Sequence, residues 1–519
     1  VGTNVGGLIF DIRGIVRNCV VAGNGTGNQG GGAWLISGGL LDNCTIYNNY
    51  ATRGGGVKCD GGGQVRNSII WSNTATLDPN NYNASGGSWT NCCTTPAIGA
   101  NCLTNHPLFR NAAALNFHLA TNSPCLNTGT NQGWMSAGAD FDGYPRIQET
   151  FVDRGAFERS PVHYVYPSGA HVWPFVSWLD GATNIQAAVD VAEAADEVQV
   201  WTGIYRSAAS VVVTQTIQVT GWGAVVDGDG AHRGFTVLTN AVIEGFTVTN
   251  GLSADNAGGV YGRGGAVIRS CTIRNCIASN YGGGVFLSVS GVVANCNILR
   301  NTALNNDGGG VYLELGGAVI DCTVYSNSAV QAGGVYAYNG GAIRNSLITG
   351  NRARTGDGGG VLAYLSGGMM EGCTVAGNAA GNGGGGVYCN SGGTISNSIV
   401  YGNTAGTSSN WTGGTWAYSC AAPAPGGAGN AGGNPLFADP AAGNFRVNSN
   451  SPCYNTGSNA WWMAGGEDLD GFPRVINGIV DMGCYEVTPV HYVSKSGTAT
   501  WPYDAWTNSA ANLQAAVNV

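Results

Sequence analysis

An all-β fold of the parallel β-helix (solenoid) type, built from tandem modules, is what this sequence predicts. Three observations carry the prediction: a short motif recurring every 24 to 27 residues, a second period of 328 residues, and a composition that is glycine-rich yet 43% hydrophobic. The short motif runs Cys19 to Asn24, Cys44 to Asn49 and Ser68 to Asn73. It returns as Cys296 to Asn301, Cys322 to Asn327, Ser346 to Asn351, Cys373 to Asn378 and Ser398 to Asn403. Phe246 and Cys271 begin two further copies, with Gly251 and Cys276 in the Asn position. Between copies stands a glycine run followed by an apolar pair, as in Gly310-Val311-Tyr312 and Gly334-Val335-Tyr336.

A repeat this short cannot bury its own apolar face, so it must stack on its neighbours. Helix is excluded, because each glycine would cost ~1 kcal/mol and no 3.6-residue period is visible. Short strands such as residues 323–325, separated by Gly and Asn turns, fit instead. One repeat is then one rung, lying ~4.8 Å from the next. The handedness rule for parallel crossovers makes the coil right-handed. Glycine is expected at the corners that need positive φ.

Asn301, Asn327, Asn351, Asn378 and Asn403 are expected to stack their amides in a ladder along the coil axis. Cys296, Cys322 and Cys373 are expected to form an inward column of small residues. Disulfides or a reactive thiol are the alternative reading of that column, since rung spacing falls within the ~4.4–6.8 Å Cα separation of a bridge. Two residues before the column stand Arg17, Asp42 and Arg66, then Glu244 and Arg269, then Arg344 and Glu371. Opposite charges on adjacent rungs would help fix register.

The longer period encloses the shorter. "HPLF" at 106 returns as "NPLF" at 434, and "NSPCLNTG" at 122 as "NSPCYNTG" at 450. "VHYVYPSG" at 162 returns as "VHYVSKSG" at 490, and "NIQAAVDV" at 184 as "NLQAAVNV" at 512. The expected organisation is the final rungs, loop and tail of one module over 1–161, a complete module over 162–489, and the head of another over 490–519. Within the complete module we expect a head cap at 162–240, rungs at 241–405, a loop at 406–433 and a tail at 434–489. The chain thus reads as a window on a longer array. In the head, Ile185, Ala188, Val189 and Ala192 mark one face of a short helix. Such a helix would plug the open end of the stack, where an exposed β-edge invites aggregation.

At these head and tail motifs the sequence resembles secreted bacterial right-handed parallel β-helix repeat proteins of the pectin-lyase-like superfamily. The tail, with "NPLF", "NSPC-NTG", "DLDG-PR" and "VD-GCYE", looks like the segment named choice-of-anchor Q. The rungs are similar to those of polymorphic outer-membrane adhesins. The resemblance implies export to an extracellular or cell-surface location. It does not settle function, because the superfamily contains both lyases and non-enzymes.

Composition removes some classes. Charged residues are 10% of 519, and the net charge of −9 argues against a nucleic-acid partner. No run of 18 apolar residues suggests a membrane span. No motif for a catalytic serine, a metalloprotease or a nucleotide phosphate is present. Asp227 and Asp229 in "VVDGDG" are the closest carboxylate pair, and read first as Asp-Gly turns. Asp140 and Asp142 in "DFDG", with Asp468 and Asp470 in "DLDG", read either as turns or as the opening of a structural Ca²⁺ loop. Arg146 and Arg474 are candidate partners for them, or for Asp153 and Asp481. Cys92 with Cys125, and Cys420 with Cys453, are disulfide candidates within each module, and Cys93 with Cys102 a further one. Asn83 and Asn410 head N-x-S/T triplets and are the glycan candidates.

The leading functional expectation is a non-enzymatic extracellular structural protein whose modules join head to tail as a fibre, stalk or surface adhesin, its main partner being itself. The alternative is a glycan-binding or polysaccharide-degrading protein. Tyr261, Tyr312, Tyr336, Tyr338 and Tyr388 could serve surface glycans, or simply pack beside the glycine runs. A pair of unpaired carboxylates in one groove would favour the enzyme, and carboxylates paired with arginine would disfavour it.

Overall fold

The computed structural model describes residues 6–10, 13–365, 368–488, 493 and 511. The expected head of a further module at 490–519 lies almost wholly outside them. The chain forms two units, Val1–Pro161 and Val162–Val519. Among the described residues no helix is long and apolar enough to cross a membrane.

Both units are parallel β-solenoids. A rung of the second unit contributes up to four short strands, such as Val311–Leu313, Ala318–Ile320, Thr323–Tyr325 and Ser328–Ala329. Each pairs in parallel with its counterpart one rung away, so that Val324 lies between Ile298 and Ile348. This stacking builds four sheets of eleven, ten, nine and seven strands. The first unit repeats the plan with three four-stranded sheets and one of two strands. Residues such as Val293, Val319, Ile298 and Val324 point inward and are fully buried, giving one continuous apolar core along the second unit.

The corners follow the glycine expectation in part. Glycine serves some of the sharp turns before the Cys and Asn columns, as at Gly350 (φ 63°), Gly372 (φ 61°) and Gly377 (φ 67°), but the others use non-glycine residues in the left-handed region, among them Asp321 (φ 53°), Ser326 (φ 57°) and Asn345 (φ 46°). Asn and Asp tolerate that region because their short side chains hydrogen-bond locally. The glycine runs have a steric reason instead. A Cβ on Gly309 would stand 2.5 Å from the carbonyl oxygens of both Gly333 and Ser328. The runs lie where one rung passes against the next with no room for a side chain.

The helix is Ile185–Val191, begun by Asn184, whose side chain accepts from the amide of Ala187. It buries Ile185, Ala188 and Val189 against the core of the first rungs. The rest of 162–240 is already rung: Val162–Val165, Glu197–Val200 and Gln218–Gly221 open the eleven-stranded sheet. The stretch 406–433 likewise carries a last rung, through Trp411–Thr412, Thr415–Ala417 and Cys420–Ala421. Neither stretch carries the full glycine motif, but both keep the inward apolar alternation that pairing needs. The tail adds an antiparallel hairpin, Phe437–Asp439 with Asn444–Val447, matched in the first unit by Phe109–Asn111 with Asn116–Leu119.

Candidate functional site

Two columns run through the rungs. In the Asn column, Asn351 Oδ1 accepts from the backbone and side-chain amides of Asn327, both at 2.9 Å, and its Nδ2 donates to Asn378 Oδ1 at 3.0 Å and to the Val324 carbonyl at 2.9 Å. The same pattern links Asn301 to Asn327 and Asn378 to Asn403. In the other column, Cys322 N donates to Ser346 Oγ at 3.1 Å and Cys373 N to Ser398 Oγ at 3.1 Å. Cys296 N approaches Cys322 Sγ at 3.5 Å. Burial pushes the Cys373 thiol well up, so it stays protonated and packs as a small apolar group.

Beside these columns stands an outer row that the sequence reading missed. Asn67 and Asn397, each just before the column residue, bind the tail backbone at both ends of the amide. Asn397 Oδ1 accepts from Ser458 N at 2.7 Å and its Nδ2 donates to the Ser458 carbonyl at 2.9 Å. Asn67 does the same with Thr130, at 2.9 and 3.0 Å. Asn43 donates to the Asp153 carbonyl and Asn345 to that of Glu467. The recurring dipeptides Asn43-Cys44, Asn67-Ser68, Asn345-Ser346 and Asn397-Ser398 were the available signal.

The tail therefore clasps the flank of the rungs, in both units by the same means. Trp134 Nε1 donates to Asp42 at 2.9 Å, and Trp462 Nε1 to Glu371 at 2.6 Å. Those carboxylates also meet the arginines of neighbouring rungs: Asp42 with Arg66 at 2.8 Å and Arg17 at 3.6 Å, Glu371 with Arg344 at 3.7 Å. Glu244 pairs with Arg269 at 2.7 Å. Arg146 and Arg474 are fully buried inside the clasp. Their ion partners are Glu158 at 2.8 Å and Glu486 at 3.3 Å, not the aspartates proposed from sequence. Arg146 also donates to the carbonyls of Asp153, Gly155 and Ala156. Burial pushes the Glu158 and Glu486 carboxyls up, against the attraction of the guanidinium.

The "DFDG" and "DLDG" aspartates are spent on the turn. Asp468 Oδ1 accepts from the amides of Asp470 and Phe472, and Oδ2 from that of Glu486. Asp140 repeats this with Asp142, Tyr144 and Glu158. Asp142 contacts His118 Nε2 at 2.6 Å, and Asp470 contacts Arg446. Among the described residues no group of three or more His, Cys, Asp or Glu is placed to hold a metal ion. Asp227 accepts from Arg206 Nε at 3.1 Å, from Asn250 Nδ2 at 3.0 Å and from the Asp229 amide at 3.0 Å, a capped turn.

The described cysteines are all free thiols. Their neighbours differ from the sequence pairing. Cys93 packs with Cys125, and the Cys92 backbone amide donates to Cys102 Sγ at 3.3 Å, so the candidate pairs 92–125 and 93–102 exchange members. Cys420 does lie against Cys453. The reason is local. Ile69 pairs with Cys93 and Ile399 with Cys420, so Cys93, not Cys92, is the counterpart of Cys420. The spacing between the units varies along the chain as loops differ in length: it is 330 from Ile69 to Ile399, 329 from Asn81 to Asn410, 327 from Cys93 to Cys420 and 328 from Cys125 to Cys453. Asn410, expected as a glycan site, is not the exposed loop residue that such a site needs. Asn410 is buried and ends the Asn ladder, accepting from Asn403 and donating to the Ala422 carbonyl at 2.7 Å. Its structural counterpart is Asn81, not Asn83. Asn83 is half-buried and donates to Asp78 at 2.6 Å.

Two open features stand out beside the rungs. One is a cleft of about 640 Å³ between rungs and tail, where Asp321, Glu467, Asp468 and Asp470 face Asn295, Asn297 and Thr323. Burial raises the Asp321 carboxyl, although Asn345 donates to it at 2.7 Å. The other is a flank of stacked rings. Tyr261, Phe286 and Tyr312 follow one another at 5.4 and 5.1 Å, nearly parallel, and Tyr338 lies over Tyr364 at 6.0 Å. Phe286, Tyr312 and Tyr336 are buried in that stack, while Tyr261, Tyr338, Tyr364 and Tyr388 form its half-buried margin.

Residues 284–421 match the family described as "Right handed beta helix region". No curated protein sequence matches the chain. Among solved structures, the crystal structure of pectate lyase Pel9A is similar, with 14% identity over 63% of this chain and 96% of that one and a TM-score of 0.42. The matched residues span the middle and end of the second stack of rungs, and the chain folds as a right-handed parallel β-helix.

Proposed function

We propose that the chain is an extracellular structural protein, in which β-helix modules joined in series form a fibre, stalk or surface adhesin. One observation carries this reading: the same device, a tail clasped on a rung flank, is built twice with its tryptophan, arginine and glutamate in equivalent places. What recurs is architecture, while the surface beside it changes, with His118 on Asp142 in one unit and Arg446 on Asp470 in the other. The carboxylates of adjacent rungs are committed to arginine, which leaves them poorly suited to proton transfer.

A polysaccharide-degrading role is the second reading, and the cleft around Asp321 and Glu467 favours it. Negative-stain electron microscopy of the purified chain, together with incubation on polygalacturonate and on neutral polysaccharides, tests both. The structural reading expects elongated particles and no release of sugar. Release of unsaturated or reducing ends that disappears in Asp321→Asn would replace it with the second.

A further inference from the structure

The tail hairpin of the second unit does not lie flush on the rungs. A groove of about 790 Å³ remains between the rung residues Thr349, Ala376 and Tyr401 and the hairpin residues Phe437 and Phe445, with Asn448 at its rim. The first unit has the same elements and fills the space. There Ala22, Tyr47 and Trp71 are the register neighbours that correspond to Thr349, Ala376 and Tyr401. Phe109 and Phe117 meet edge to face at 5.3 Å, as Phe437 and Phe445 do at 5.3 Å. The Tyr47 ring packs against both, 5.8 Å from Phe109 and 5.0 Å from Phe117, and His106 lies against Trp71 at 5.5 Å. In the second unit the ring of Tyr47 is replaced by the methyl of Ala376, and His106 by Asn434.

None of the residues lining the groove is an acid, a lysine, an arginine or a histidine. Its walls include the rings of Tyr401, Phe437 and Phe445, and its polar side chains are amides, a threonine hydroxyl and the Tyr401 hydroxyl. Asn434 and Asn448 turn their Oδ1 atoms to the amides of Leu436 and Asn450, at 2.9 and 3.0 Å, so each has its amide nitrogen to offer a ligand. The strands of the floor are paired on both sides within the ten-stranded sheet, so no backbone edge is open to a peptide strand. Ring faces with uncharged donors and acceptors suit a ligand that carries apolar C–H faces and hydroxyl groups.

We propose that this groove binds a neutral oligosaccharide, and that the first unit lacks the activity because Tyr47 occupies the same space. The absence of cationic side chains argues against uronate or sulfated chains, whose charges would be left unpaired on binding. The absence of a carboxylate makes this a binding site and not a hydrolytic one. The inference does not depend on the structural role above. Microscopy can fail while sugar binds, and the reverse.

The test is calorimetric titration of the full chain with neutral hexasaccharides (cello-, xylo-, manno- and malto-) and with hexagalacturonate. The expected result is saturable binding of at least one neutral hexasaccharide and none of hexagalacturonate. Ala376→Tyr, which copies the filled groove, and Tyr401→Ala should each weaken binding by about tenfold or more without changing the melting temperature. Tyr401 is only half-buried, so Tyr401→Ala decides the matter if Ala376→Tyr does not fold. The proposal is overturned if no neutral hexasaccharide binds, if binding survives Tyr401→Ala, or if hexagalacturonate binds as tightly.

Discussion

Asn351 shows how much rests on single side chains. It receives two hydrogen bonds from Asn327 and returns two more, to Asn378 and to the Val324 carbonyl. Asn351→Ala would strand the Asn327 amide and the Val324 carbonyl in a buried setting. Each such group costs about 1–3 kcal/mol, so a loss of about 2–5 kcal/mol is expected from the shift in urea midpoint. A loss below about 0.5 kcal/mol would show that the ladder is ornamental. Cys102 is a second residue whose setting sets its chemistry. It is half-buried, and its hydrogen bond with Cys92 brings its pKa down to about 7. Burial raises Cys19, the other half-buried thiol. Because the thiolate is the nucleophile, brief iodoacetamide treatment at pH 7.5 should label Cys102 first, as read by peptide mass spectrometry. Cys19 reacting first would contradict this.

At the scale of elements, the tail is held by buried polar contacts as well as by apolar packing on the rungs. Arg474 is fully buried, pairs with Glu486 and donates to the Gly483 carbonyl at 2.9 Å. Arg474→Met keeps the volume but leaves Glu486 buried without its cation. Removing one partner of such a pair costs about 3–5 kcal/mol. The expected outcome is faster proteolysis of 434–488 with the rungs still folded, because strand pairing within the stack does not involve the tail. Rungs and tail cleaved at the same rate would show that the clasp holds the solenoid itself together. The rung elements were legible in sequence because each needs the same residues at the same place. The clasp was not, because its contacts join positions such as Asn397 and Ser458, about sixty residues apart, that share no local pattern. The partner expected for Cys92 and the matching of Asn410 to Asn83 failed for a related reason. Loops of unequal length change the spacing between the units from 330 at Ile69 to 327 at Cys93 before it returns to 328 at Cys125, and one residue is enough to exchange Cys92 for Cys93.

For the whole molecule, buried carboxyls set the response to pH. Desolvation pushes Asp153, Asp307, Asp468 and Asp481 up to about 6. A carboxyl raised on folding binds its proton more tightly in the native state. Its contribution is therefore fully present below the unfolded value near ~4 and is lost as pH rises through about 6. Asp227 has the opposite sign: its hydrogen bonds with Asn250, the Asp229 amide and Arg206 lower it despite burial, so its contribution fades only below the ordinary range. The melting temperature should thus rise as pH falls from 7 to 5, and fall again below ~4. A melting temperature that declines steadily from pH 7 to 5 would refute this balance.

The sequence by itself determined the solenoid, its rung length, the ladder residues and the modular period. Each follows from local steric and hydrogen-bond demands repeated at one interval, and repetition makes such demands visible. Only the tertiary structure decided which cysteines meet, what Arg146 and Arg474 hold, and where a groove is left open beside Tyr401. Those depend on how a distant tail lies on the rung flank, and on whether one position carries the ring of Tyr47 or the methyl of Ala376.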